Sequence, residues 1–317
     1  MAKYLIKRVL MIIPVVIGVL FVMFAILYFI PASRIRMMPV YGDGDLLDSI
    51  YRYFNAGSNM ITQFIRYCFN VFTKLDFGKT GSRTRWLEID LGIRLRNTSM
   101  LLLTGVGATM VIGIPIGVLT AVHKDSIGDR IANVLTLLFS AVPTYAVAMF
   151  LAITLCVRLR ILPLIPVYTE LIAYVLPTMV ISLGGIATIA RMTRTSFIEV
   201  LEQPYVTALR AKGLVRASVI WKHAFKNALV PVISALGVLV SQLLCGTMVV
   251  EYFFNVPGLG TFMLRSVTER DHVAILACTI VMTIILSLTN TITDIFYSFI
   301  NPQIRLRYTK TRVKADG

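Results

Sequence analysis

The sequence predicts an all-α integral membrane protein with six transmembrane helices, and three observations carry that expectation. Hydrophobic residues make up 57% of the 317 and charged residues only 15%. The mean hydropathy is +0.78, whereas a water-soluble domain carries roughly 25% charged residues. Six segments contain no Asp, Glu, Lys or Arg: 9–33, 97–122, 131–157, 171–190, 227–250 and 273–293. A helix rises about 1.5 Å per residue, so about 20 residues cross a hydrocarbon core about 30 Å thick; each of the six is long enough. The third observation is that, apart from the long stretch 34–96, whose length removes it from the count, Lys and Arg crowd into alternate connecting segments, as the positive-inside tendency requires.

In chain order, residues 1–33 are a basic N-terminal segment followed by the first span. Its apolar run exceeds the core of a cleavable signal peptide, and no small-residue cleavage site follows it, so it is read as uncleaved. Residues 34–96 are expected to form a small extracytoplasmic cap between helices 1 and 2. "PVYGDGD" (39–45) is turn-rich, and "MITQFIRYCFNVFTKL" (60–75) has apolar positions at helical spacing. One or two helices lying at the membrane surface are expected there. The cap also contains "LDFGKTGS" (75–82), which ends like a phosphate-binding loop. The full pattern G-x-x-x-x-G-K-[ST] needs a glycine at position 73, where Thr73 stands. Half a motif on the outer side of a membrane does not predict nucleotide binding.

The membrane-embedded core then runs over 97–301, with spans at 97–122, 131–157, 171–190, 227–250 and 273–299, and a tail at 302–317. With the N-terminus inside, the inner segments are 1–8, 123–130, 191–226 and 303–317. The segment 191–226 alone holds Arg191, Arg194, Arg210, Lys212, Arg216, Lys222 and Lys226, whereas the short outer segments 158–170 and 251–272 hold only Arg158, Arg160, Arg265 and Arg270. Both termini are therefore expected in the cytoplasm. The net charge of +15 expresses this bias and calls for no nucleic-acid partner; the lipid bilayer is the expected surroundings. Cys68, Cys156, Cys245 and Cys278 form no CxxC pair, and His123, His223 and His272 are scattered, so no metal site is expected. No nucleophile with its base, no paired carboxylates and no metal cluster points to catalysis.

The segment 191–226 predicts a device. Pro204 suits the first turn of a helix, where its missing N–H would be unpaired anyway. "PYVTALRAK" continues helically, and Gly213 suits the left-handed position that ends a helix. A helix of about nine residues is marginal alone in water and needs a partner surface. Ala208 and Ala211, three apart, leave one face nearly bare backbone, with Arg210 and Lys212 beside it. A second helix is expected from Val215 to Lys226, leading into the fifth span.

These residues carry a resemblance. "YVTALRAKGLVRASVIWKHAFKNALVPVI" (205–233) and "EYFFNVPGLG" (251–260) resemble importer-type ABC transporter permeases, and more narrowly the first permease subunit of oligopeptide/dipeptide importers. Supporting matches are "YLIKRVLMIIPVVIGVLFV", "DFGKTGSRTR", "RLRNTSMLLL", "GIPIGVLTAV", "ILPLIP" and "NPQIRLRY", in that order. There are two departures. Thr207, Ala208 and Leu209 stand where the general signature has Glu-Ala-Ala, and "PASRIR" (31–36) stands where the branch often has Pro-Gly-Asp-Pro.

The resemblance implies a type I ABC importer permease fold in a bacterial or archaeal cytoplasmic membrane. It implies a second homologous permease, two ABC ATPase subunits and an extracytoplasmic substrate-binding protein, with no cofactor on this chain and ATP and Mg²⁺ in the partner subunits. Peptides are the implied cargo; nickel chelates, glutathione and oligosaccharides travel through related permeases. A stand-alone secondary transporter is the competing class, but it predicts internal repeats and midplane charges, and neither is found. The implied coupling helix comprises Pro204, Tyr205, Ala208, Arg210, Ala211, Lys212 and Gly213. Glu251, Pro257, Gly258 and Gly260 belong to an outer loop expected either to pack at the mouth of the path or to form an exposed hairpin. Its "TFMLRSV" is expected to dip back as a short helix. Gln242 and Asp294, polar within spans five and six, either line the path or hydrogen-bond between helices.

Overall fold

The computed structural model describes residues 2–29, 59–78, 87–163, 168 and 170–300, and all regular structure among them is helical. Helix α1 is Ala2–Tyr28, α2 is Met60–Lys74, α3 is Leu87–Val122, α4 is Ile127–Ala141 and α5 is Thr144–Leu151. After a 3₁₀ turn at Leu171–Tyr174 come α6 (Val175–Leu201), α7 (Pro204–Ala211), α8 (Phe225–Phe253), α9 (Leu259–Glu269) and α10 (His272–Ile300). Residues 34–58 and 79–86 of the expected cap, the latter including Lys79 and Thr80 of the half-motif, the tail 302–317 and the side chain of Asp294 lie outside the described residues.

Five stretches are long and apolar enough to span a membrane: Arg8–Tyr28, Asp90–Val122, Leu171–Leu201, Arg216–Phe253 and His272–Thr293. The third charge-free run differs from the straight helix that its length predicts. It forms α4 and a second helical piece, Thr144–Arg158, bent by 105°, so the pair makes a sixth span only as a broken one. Pro143 is the cause. It has no N–H to give the helix, and its ring drives Val142 to an extended conformation (φ −79, ψ 128).

The chain forms two compact units, Met1–Met100 with Asn255–Leu288, and Leu101–Phe254 with Thr289–Gly317. In the first, α1 buries Val16, Leu20, Phe24 and Leu27, at spacings of four, four and three, against Tyr67 and Val71 of α2 and Ile275, Leu276 and Ile280 of α10. A second cluster joins Leu87 and Leu91 of α3 to Leu259 of α9 and Val273, Ala274, Ala277 and Cys278 of α10.

In the second unit α6 is the hub, packed by α8, α4 and α5. Its approach to α3 depends on glycine. A Cβ on Gly117 would lie 2.5 Å from the Ala190 carbonyl oxygen and 2.5 Å from Thr193 Cβ; one on Gly113 would lie 3.1 Å from the Ile186 oxygen. Lipid tails are as apolar as leucine, so spans gain little from hiding apolar side chains from them and associate through close contact. Small residues at the contact permit that approach. Between α8 and α10, Ser241 Oγ donates to Asn290 Oδ1 at 2.6 Å.

Candidate coupling site

Helix α7 has the boundaries its sequence predicts. Gln203 is extended (φ −68, ψ 144) and Pro204 occupies the first turn. At the far end the Lys212 N–H donates to Ala208 O at 3.1 Å, the Gly213 N–H to Arg210 O at 2.9 Å and the Leu214 N–H to Leu209 O at 3.3 Å. Gly213 takes φ +82, the left-handed geometry that turns the chain while satisfying the last carbonyls.

The two faces of α7 differ. Val206 is 0% exposed and Leu209 is half-buried, where α7 rests on the π-helical turn Val219–Ala224. Ala208, Arg210, Ala211, Lys212 and Gly213 are all exposed. The Tyr205 hydroxyl accepts from Asn227 Nδ2 at 3.0 Å, which ties the start of α7 to the start of α8. The bare alanine face that the sequence predicts is thus open in this chain, while the opposite face is anchored.

The support around α7 is ionic. Lys124 Nζ donates to Glu202 Oε1 at 2.8 Å, and that bond raises the lysine above its usual value. Both groups are exposed, so the pair adds little stability. Arg216 Nη2 donates to Val122 O at 2.9 Å. A cleft of about 220 Å³ lies here, lined by Lys124, Glu202, Arg210 and Arg216 over an apolar floor that includes Ile198 and Ile220.

One pair escaped the sequence reading. Asp129, 3% exposed, receives Arg194 through Nε to Oδ1 at 2.6 Å and Nη2 to Oδ2 at 2.7 Å. Its carboxylate also accepts from Asn133 Nδ2 at 3.0 Å and from the Asp125 N–H at 3.0 Å. This fork joins the first turn of α4 to the last third of α6. Ser126, whose Oγ accepts from the Asp129 N–H at 3.2 Å, was the available signal: Ser-x-x-Asp marks a helix start. Nothing local marks Arg194 as the partner.

The segment after α8 is packed rather than an exposed hairpin. Val256, Gly258, Leu259, Gly260 and Thr261 are buried, while Pro257 is exposed. Asn97 Nδ2 donates to Pro257 O at 2.9 Å, and the Leu259 N–H donates to Thr98 Oγ1 at 2.9 Å. The tight turn centres on Pro257, with the Gly258 N–H bonded to Val256 O at 2.7 Å. The left-handed residue is Asn255 (φ 52), not a glycine. "TFMLRSV" lies within helix α9. Glu251, which the sequence assigns to the loop, is instead in the last turn of α8 and 0% exposed. Gln242 is exposed on α8, and its neighbour Ser241 makes the bond to α10. Among the described residues no three His, Cys, Asp or Glu side chains gather as a metal site.

Residues 113–306 match the family described as the binding-protein-dependent transport system inner membrane component. The chain is 31% identical over 308 residues to the dipeptide transport system permease protein DppB of Bacillus subtilis, covering 96% of this chain and 99% of that one. It is 30% identical to the glutathione transport system permease protein GsiC of Pectobacterium atrosepticum and to that of Escherichia coli strain K12, covering 97% of this chain and 100% of each. Among solved structures, one of the MetNI methionine ABC transporter in inward-facing conformations superposes with a TM-score of 0.57 at 16% identity. It covers 69% of this chain and 100% of that one, a likeness of fold.

Proposed function

The chain belongs to the family of binding-protein-dependent transport system inner membrane components, and from that premise we propose that it is the first permease subunit of an importer for short peptides. As a family member it is the non-catalytic, multi-pass inner-membrane component of an ABC importer. ATP is handled by separate ATPases, and substrate arrives on a binding protein. Short peptides are favoured because the names of the relatives agree on that chemistry: one carries dipeptides and the others glutathione, itself a tripeptide. Glutathione is the second reading, and it rests on those latter relatives.

In this reading the termini and the α6–α8 connection face the cytoplasm, and a second homologous permease supplies the other half of the path. The carrying observation is α7: one face anchored through Val206, the other bare, exposed and bordered by cations. Ala208, Ala211 and Gly213 seat it on an ATPase subunit, and Arg210 and Lys212 complement acidic side chains there. The packed turn at Pro257, Gly258 and Gly260 shapes the outer mouth, while Gln242 lines the path.

Two measurements test this. Introducing Gly213→Glu into the assembled transporter is expected to reduce co-purification of the ATPases and abolish substrate-stimulated ATP hydrolysis; full retention of both overturns the seating. Mass spectrometry of the ligand that co-purifies with the binding protein is expected to return short peptides, and a non-peptide ligand overturns the substrate class.

A further inference from the structure

Helix α2 carries more apolar surface than its own unit covers. Phe64, Tyr67, Cys68 and Val71 pack toward α1 and α10. A neighbouring stripe, Ile61, Ile65, Phe69 and Phe72, is 47–61% exposed. The spacings of four, four and three put these residues on one helix face. The remaining sector is polar, and its only charges are Arg66 and Lys74, both basic. A soluble surface helix has one apolar stripe facing the core; α2 has that stripe and a second one beside it.

The packing against α1 says at what depth α2 lies. Phe64 meets Phe21 edge-on at 5.2 Å and Phe24 at 5.6 Å, and Tyr67 meets Phe24 at 6.2 Å. α1 ends at Tyr28, whose ring meets that of Phe29 just beyond it, and tyrosine is enriched at membrane interfaces. From Phe21 to Tyr28 the helix rises about 10 Å. That depth is within the range reached by amphipathic helices seated at the headgroup–acyl boundary, about 5–10 Å. At 15 residues, α2 is too short to cross, since about 20 are needed. Phe21, the α1 residue that meets Phe64, is itself partly exposed.

We propose that α2 is sunk into the leaflet that α1 reaches at its C-terminal end, its Ile61–Ile65–Phe69–Phe72 stripe against lipid acyl chains and Arg66 and Lys74 extended to the phosphates. Lys74 already lies along the helix, its Nζ 6.0 Å from the Phe69 ring centroid, the posture of a cation whose stem follows apolar surface toward the headgroups. The sequence alone places this helix on the membrane surface; the contacts with Phe21 and Phe24, up to about two turns below the end of α1, place it deeper. The inference needs only the membrane-spanning fold and is independent of the transported substrate.

The test is quenching by brominated lipid. The assembled transporter, carrying Phe69→Trp, Ile65→Trp or Asn70→Trp, is reconstituted into vesicles of acyl-chain-brominated phosphatidylcholine and of its unbrominated counterpart. The unsubstituted transporter, with its native Trp86 and Trp221, sets the baseline. The extra emission of Phe69→Trp and Ile65→Trp is expected to fall in brominated vesicles, while that of Asn70→Trp, on the polar sector, is unchanged. Unquenched, blue-shifted emission at positions 65 and 69 would mean that a protein partner covers the stripe. Unquenched, red-shifted emission would mean water. Either overturns the proposal, and using two stripe positions guards against failure of one variant to fold.

Discussion

At Asp129 the carboxylate has left water and is held by four N–H donors, two of them from the guanidinium of Arg194. Removing one member of such a buried pair leaves the other desolvated without compensation, which costs more than the pair contributes. Asp129→Asn is expected to destabilise the protein by about 3 kcal/mol, the lower end of the range for buried pairs, because the Arg194 side chain is still 22% exposed. Arg194→Gln should cost a comparable amount, and the double variant markedly less than the two together. Thermal unfolding of the purified transporter in detergent reads all three, and additivity would remove the pair from its structural role. Lys124 and Glu202 form the contrasting case: they are as close but exposed, so Lys124→Ala should leave the melting temperature nearly unchanged.

At the scale of the element, the α3–α6 contact depends on the absence of side chains. The clash at Gly117 is partly with a backbone carbonyl, which cannot swing aside as a flexible side chain can. Gly117→Val is therefore expected to separate the two helices at a cost of about 3 kcal/mol, the upper part of the range for overpacking, and to lower the yield of assembled transporter. Gly107→Ala on the same helix meets nothing within 4 Å and should be tolerated. Equal effects of the two would mean that helix propensity, not interhelical approach, governs the position. Helix α7 behaves differently, because its ends are dictated locally and its stability is not. Eight residues do not hold a helix in water; Val206, buried against the chain, supplies the missing support.

For the whole molecule, the bent pair decides the topology. If α4 and Thr144–Arg158 together cross the bilayer as one broken span, the connections on either side of them lie on opposite faces. Lys124→Cys and Arg160→Cys are then expected to react with a membrane-impermeant thiol reagent from opposite sides of oriented vesicles, position 124 from the cytoplasmic face. Labelling of both from one side would make the pair re-entrant and reverse the orientation of every later helix. The family assignment survives that outcome, whereas the cytoplasmic placement of α7 does not.

The sequence by itself determined what short-range chemistry can specify. Charge-free runs marked the approximate place of the apolar helices, and Pro204 and Gly213 delimited α7, because each acts through its own φ, its own N–H or its own transfer energy. The kink at Pro143 obeys the same local logic and was open to the same reading. Only the tertiary structure decided that Arg194 answers Asp129 across 65 residues, that Gly117 faces Ala190, that Glu251 is buried at the end of α8, and that α2 packs on Phe21 and Phe24 in the last third of α1. Each of these depends on which surfaces meet, and hydrophobic pattern specifies that a face must be covered without specifying by what.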